Sequence, residues 1–382
     1  MKFACFDLAH FLSHNWQKQP LLIRNPWENW HNPLEPDELA GLACEDDVES
    51  RLVIGDDSGR AMESGPFPEA RFGQLGTGPW TLLVQAVDHH VPDVAGLVSP
   101  FRFVPNWRID DVMVSYATNG GGVGSHYDNY DVFLVQGLGQ RRWRVGPKCD
   151  AQTPLLPHND LRLIADFQAT DEWVLNPGDI LYVPPCFAHE GVAVGDDCMT
   201  YSIGFRAPSQ SELIEGWAEH VAGQIAEEER YTDADLTLRA QPGEITPVAI
   251  ERLHGLVMDA LSDQAAFARW FGQNNSLPKY ERDWRPDKPV SQKALRACVA
   301  QGSRLLRNPA SRFSFIRLGP EENLLFVDGE SFSCEGSDSV LAERFCANEI
   351  VPLDPDADLS TDTVALIGAL INQGSLAFED DD

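Results

Sequence analysis

The sequence predicts a mainly-β core of the double-stranded β-helix (jelly-roll) type, followed by a helical segment and a small α+β module. Three observations predict this. Between Asp111 and Phe205 the chain is a series of short β-prone runs punctuated by glycine and proline. After Arg206 the apolar residues shift from a period of two toward one of about 3.6. Beyond a charged, proline-bearing linker at Lys279–Pro289, both patterns recur in shorter pieces.

In chain order, Pro20–Arg24 reads as an entering strand and Trp80–Gln85 as another. Val112–Ala117 is a β-prone run, and Gly120-Gly121-Gly122-Val123-Gly124 then lets the backbone turn tightly. Val132–Val135 and Arg142–Val145 read as strands separated by Gly137 and Gly139. Trp173–Leu175 leads into Asn176-Pro177-Gly178-Asp179, whose Pro-Gly pair is a type II turn signal. Ile180–Val183 follows and Pro184-Pro185 stops it; Met199–Phe205 closes the series. Short strands at regular spacing with turn signals between them indicate a sandwich or barrel, here the cupin kind of jelly roll.

Within this frame stand His126-x-Asp128 and His189. Side chains at i and i+2 share a face of a strand, so His126 and Asp128 can point inward together. Two imidazoles and one carboxylate on one side of a metal leave the other side open, which is the facial arrangement of non-heme Fe(II) oxygenases. The bare string is common and a core histidine more so; the surrounding strand and turn pattern gives the three their weight. A zinc cupin would add a histidine or glutamate near the first pair. Asp131 and Glu190 are the nearby candidates, and neither has the context. His89-His90 face opposite ways with no carboxylate at ligand spacing, and read as surface or supporting residues. His158 reads as a loop residue.

Arg141, Arg142 and Arg144 compete to supply a fixed cation to an anionic co-substrate. Alternation puts Arg141 and Trp143 on one face and Arg142 and Arg144 on the other, where a solvated strand edge fits them better. A planar guanidinium can grip a carboxylate in bidentate fashion. Ser115 is a second candidate partner, and an ordinary strand serine is an equal reading of it.

The string from Gly120 through His126-Tyr-Asp128-Asn-Tyr-Asp131 to Phe133, the string Gly137-x-Gly139-x-Arg141-Arg-Trp143-Arg-Val, and the string Pro177-Gly-Asp179-x-Leu-Tyr-x-Pro-Pro185-x-x-x-His189 together resemble the JmjC-type core of the ribosomal oxygenases. The resemblance is to the bacterial branch that hydroxylates an arginine of a large-subunit ribosomal protein. It implies Fe(II) held by His126, Asp128 and His189, and 2-oxoglutarate as co-substrate with Arg141 on its far carboxylate. It also implies a basic, arginine-containing loop as partner. Hydroxylation of a histidine or lysine of another basic protein, and a metal-binding cupin without oxygenase activity, are the alternatives.

The 382 residues suffice for two or three domains, read as 1–206 for the oxygenase core, 207–289 for the helical part and 290–382 for the last module. In the helical part, Ser209 or Ser211 can cap a helix bearing Leu213, Ile214, Trp217 and Val221. Pro247–Ser262 carries a second, and Phe267, Trp270 and Phe271 mark a third. The resemblance makes this segment a homodimer interface. In the last module, helices at Ala294–Leu306, Val340–Phe345 and Thr363–Asn372 and strands at Phe313–Arg317 and Leu324–Asp328 are similar to the winged helix of that family. Its seven Lys+Arg against sixteen Asp+Glu leave a balance of −9, with no basic footprint for phosphates, so DNA binding is not expected.

The whole chain carries a net charge of −30, which suits a basic protein partner and repels nucleic acid. No apolar run reaches the length of a membrane span, and the start lacks the pattern of a signal peptide. The eight cysteines show no C-x-x-C spacing, which fits reduced thiols and a cytoplasmic location.

Overall fold

The computed structural model describes residues 1–56, 59–157, 161–238, 241–280, 283–356 and 359–379. His158 and part of the linker lie outside the described residues. Two compact units result, Met1–Ala207 and Pro208–Asp382.

The first unit is built on a sheet of nine strands: β1 (Leu21–Ile23), β2 (Ser50–Asp56), β3 (Gly59–Ser64), β4 (Trp80–Val84), β5 (Ile109–Ala117), β6 (Asp131–Lys148), β7 (Asp171–Leu175), β8 (Ile180–Val183) and β9 (Phe187–Phe205). Their order is β1-β8-β6-β9-β5-β4-β2-β3, with β7 also on β6. Every pairing is antiparallel. Helices α1 (Leu8–His14), α2 (Pro36–Leu42) and α3 (Pro92–Ala95) accompany the sheet.

The runs expected on either side of Gly137 and Gly139 are one long strand, β6. The ladder with β9 shifts register between Gln136 and Leu138 and again between Leu138 and Gln140, then continues. Glycine bends the strand there through bulges without ending it. Gly137 also has no room for a side chain: a Cβ would lie 2.5 Å from the Tyr201 ring.

Alternation along β4, β5, β6 and β9 sorts residues onto two faces. One face packs Val112, Val114, Phe133, Val135, Tyr182, Tyr201, Ile203 and Phe205 into the main core with Phe11 and Phe101. Phe133 sits at its centre, 4.8 Å from Phe101 and 4.9 Å from Tyr182 between ring centroids. Each such aromatic pair adds about 0.5–1.5 kcal/mol beyond the area it buries. The opposite face lines the interior around the candidate site. Ladder partners place Leu83, Ser115, Thr200 and Gln136 there in one layer, and Thr81, Ala117 and Cys198 in the next.

The second unit contains α4 (Gln210–Ala222), α5 (Pro247–Leu261), α6 (Gln264–Ser276), α7 (Gln292–Ala300), β10 (Arg304–Arg307), β11 (Phe313–Gly319), β12 (Glu322–Val327), β13 (Glu330–Glu335), α8 (Ser337–Ala347), β14 (Ile350–Pro352), α9 (Thr361–Asn372) and β15 (Leu376–Phe378). Ser209 caps α4 through a reciprocal box with Glu212, which satisfies donors at the helix start. The helix expected to run through Leu306 ends at Ala300. Gly302, at φ +76°, breaks it, and Arg304–Arg307 pairs with both β14 and β15 instead. An apolar core of Leu295, Leu325, Phe345, Ile367 and Leu370 holds this end together. Among the described residues, no helix is long and apolar enough to cross a membrane.

Candidate metal centre

His126 and His189 face each other across a single bridge. The His126 amide donates to the His189 carbonyl at 3.0 Å, and the His189 amide returns a bond to the His126 carbonyl at 2.8 Å. Residues paired this way in an antiparallel ladder project their side chains to one face. The ring centroids are accordingly 4.3 Å apart. The sequence suggests a strand for His126-x-Asp128; the structure has only this bridge. The glycine run before it supplies the reason. Gly120 and Gly124 take φ of +79° and +92°. Gly122 presses so close to β9 that a Cβ would meet the Gly191 carbonyl oxygen at 2.4 Å.

Each imidazole is fixed by its own backbone. His126 Nδ1 lies 2.9 Å from the Gly124 carbonyl and His189 Nδ1 lies 3.0 Å from that of Phe187. A carbonyl can only accept, so each Nδ1 carries a proton and, in the neutral ring, the lone pair falls to Nε2. Asp128 Oδ2 stands 3.9 Å from His126 Nε2 and 3.6 Å from His189 Nε2. Among the described residues, this trio alone brings three or more potential ligands together, all ligand atoms lying within 4.8 Å of one another. Burial, and then the neighbouring His126, hold His189 down to about 4, against the opposing pull of Asp128 and the Phe187 carbonyl. His189 is therefore neutral near pH 7, as a metal ligand must be.

The two extra cupin candidates are committed elsewhere. Asp131, fully buried, accepts from the Tyr182 hydroxyl at 2.6 Å and from Gln17 and Arg108. Glu190 pairs with Arg144 on the other face of the ladder. His89 is buried rather than on the surface.

Arg141, Trp143 and Val145 pair with Ala193, Gly191 and His189, so these six share the inner face. Arg142 and Arg144 point the other way, as alternation predicts. Trp143 lies beside His189, tilted 39° with 6.0 Å between centroids, and Gly191 makes the room: a Cβ there would meet the Trp143 ring at 2.7 Å. Arg141 is 2 % exposed, and its Nη2 has no hydrogen-bond partner among the described residues. A buried guanidinium left short of acceptors is costly, several kcal/mol if nothing fills it. An anion in the interior resolves it, and a carboxylate matches the fork of donors. Thr81 Oγ1, in the same interior, is likewise unpartnered. Ser115 is buried, with only a long 3.5 Å contact to the Thr200 carbonyl, so its hydroxyl is nearly uncommitted. The donor set thus fits a divalent metal, and the cation beyond it fits a dicarboxylate.

Sequence reasoning misses Cys198 and Gln136 as polar partners of this interior. No local motif marks either. Both gain their meaning from cross-strand neighbours, which only the register supplies.

A jelly-roll barrel with two histidines, one aspartate and an unneutralised buried arginine on its inner face defines a 2-oxoglutarate- and Fe(II)-dependent oxygenase. Residues 96–213 match the JmjC domain family and residues 259–377 the ROXA-like winged helix. The chain is 38 % identical to the ribosomal protein uL16 3-hydroxylase of Escherichia coli strain K12 over 372 residues, covering 97 % of each chain. An X-ray structure of Escherichia coli YcfD superposes with a TM-score of 0.90 at 36 % identity, covering 99 % of this chain and 100 % of that one. The structure of that ribosomal oxygenase in complex with cobalt and 2-oxoglutarate gives 0.87 at 36 % identity, covering 99 % of both. The chain belongs to the JmjC-type ribosomal oxygenases.

Proposed function

We propose that this oxygenase hydroxylates a carbon of an arginine side chain in a large-subunit ribosomal protein, uL16 being the protein named for the relative that matches nearly its whole length. The observation that carries the reading is the pairing of the three-ligand cluster with the unfilled Arg141 guanidinium on one inner face. His126, Asp128 and His189 would hold Fe(II), the carboxylate offsetting part of its charge. Arg141 would take the far carboxylate of 2-oxoglutarate, with Ser115 beside it. When bound, the metal and co-substrate supply the oxidising power, using O₂. The protein's part is to keep both imidazoles aimed, and to hold the co-substrate at its distal end in a buried interior.

The net charge of −30 suits a basic loop, and its long-range steering brings such a partner in. An exposed apolar face on α5 (Ile250, Leu253, Leu256 and Val257, each 43–56 % exposed) supports the homodimer reading of the 207–289 segment. The 290–382 module serves protein contact in this reading, and the enzyme works in the cytoplasm.

The test is mass spectrometry of large-subunit ribosomal proteins from cells with and without the gene, looking for one added oxygen on an arginine. With purified enzyme, a peptide with a central arginine should drive succinate formation. Replacing that arginine by lysine should remove most of it, since lysine offers a compact cation in place of a planar fork. Equal turnover of the lysine peptide would move the reading to a lysyl oxygenase.

A further inference from the structure

Among the described residues, no carboxylate bonds the Arg141 guanidinium. Its Nε donates to the sulfur of Cys198 at 3.4 Å. That sulfur also accepts from Gln136 Nε2 at 3.5 Å, and Gln136 Oε1 accepts from the Thr200 hydroxyl at 3.1 Å. Thr200, Gln136, Cys198 and Arg141 are all between 0 and 2 % exposed, so the chain of contacts runs entirely out of water. Gln136 is anchored in turn by its backbone: its amide donates to the Asp179 carbonyl at 2.9 Å and its carbonyl accepts from Gly178 at 2.8 Å. The guanidinium is therefore held at its Nε corner while Nη2 stays unpaired.

The choice of acceptor matters. Sulfur is a weak acceptor and a carboxylate a strong, charged one. Arg144 shows the other outcome three residues on, where Nε and Nη2 both go to Glu190 and the pair is closed. A sulfur at position 198 orients the fork without neutralising it.

We propose that Cys198, fixed by Gln136 and Thr200, is a positioning residue that aims the Arg141 guanidinium at the distal carboxylate of 2-oxoglutarate. This deepens the proposed role of Arg141 in co-substrate binding and rests on it. Cys198 touches neither metal nor substrate. Its effect falls on co-substrate affinity and on ligands that carry the distal carboxylate.

The test is direct binding by calorimetry to the full-length protein loaded with Mn(II), using 2-oxoglutarate and, as a second probe, 2-oxopentanoate, which has the same chain length but no distal carboxylate. Cys198→Val removes the acceptor and adds about one methyl group in volume. It should raise the Kd for 2-oxoglutarate about twofold to tenfold, the range of one lost hydrogen bond, and leave 2-oxopentanoate binding unchanged. Cys198→Ser keeps an acceptor and should recover most of the affinity. At saturating co-substrate, the KM for peptide and kcat should match the parent enzyme. Equal loss for both 2-oxoacids would mean that Cys198 acts through packing alone and would overturn the inference, as would a Cys198→Val protein with parental affinity. Should Cys198→Val not fold, Cys198→Ala gives the same two comparisons. Arg141→Ala is the reference. If it leaves 2-oxoglutarate binding intact, the reading of Arg141 fails; if it weakens binding and Cys198→Val does not, only the role of Cys198 fails.

Discussion

The β6–β9 ladder carries the same residue type to opposite ends on its two faces. On the outer face, Arg144 closes on Glu190 and lies over the Phe167 ring. On the inner face, Arg141 is deeper and, among the described residues, meets a sulfur and the Trp143 ring and keeps Nη2 unpaired. The outer pair is complete within the chain. The inner cation finds no acceptor for Nη2 among the described residues. A buried charge without an internal counter-charge costs stability until a ligand arrives, and that cost marks a binding site.

The largest effect should come from breaking the inner face at its metal end. Asp128→Ala removes the one anionic ligand and should abolish hydroxylation, measured as added oxygen on an arginine peptide with Fe(II) supplied. Undiminished turnover would sink the assignment of the trio. Next is the contrast between the arginines. Arg141→Ala should raise the 2-oxoglutarate requirement about tenfold to over a hundredfold, the worth of a charged hydrogen bond at roughly 1.5–3 kcal/mol, with metal binding nearly intact. Arg144→Ala should leave that requirement alone and instead lower stability by about 1–3 kcal/mol, because Glu190 loses its partner. Thermal unfolding and co-substrate titration of both variants check this, and reversed outcomes would dissolve the distinction between the faces.

A smaller effect should follow from Gly191→Ala. The new methyl would meet the Trp143 ring at 2.7 Å. Overpacking of this kind costs about 1–3 kcal/mol. The displaced ring presses toward His189, so Mn(II) affinity should fall along with the melting temperature; a loss of stability alone would separate Trp143 from the metal site.

The last is a pH effect. His189 holds its proton less tightly in the fold, at about 4, than in the unfolded chain near 6.5. Between these values the unfolded state binds more protons, so the metal-free protein loses stability as pH falls from about 6.5 toward 4 and regains it as pH rises. His189→Asn should flatten that part of the stability curve. An unchanged slope in denaturant titrations would mean that His189 is not the group responsible.

Much of this is legible in the chain alone. His126, Asp128 and His189 stand out because strand alternation and turn residues frame them. Arg141 can be told from Arg142 and Arg144 by parity. What is not legible depends on register. Nothing near position 198 announces that its sulfur meets Arg141, or that Gly122 and Gly191 are small because one lies against the other's backbone and Trp143 needs the second. The continuity of β6 is hidden because glycine signals a break and a bulge alike. Ser50–Asp56 and Gly59–Ser64 do not read as strands, their mixture of charge, glycine and alanine giving no clean alternation.

The rung that joins His126 to His189 bears on how such proteins can vary. The two histidines are far apart in the chain, yet their separation in space is set by one pair of backbone hydrogen bonds. Lengthening or shortening the connection between Lys148 and Asp171 therefore leaves the two imidazoles opposed, provided the ladder on either side stays in step. A search for kindred sites that demands a fixed interval between the histidines would pass over them. One that asks for the same rung, whatever loops lie between, would find them.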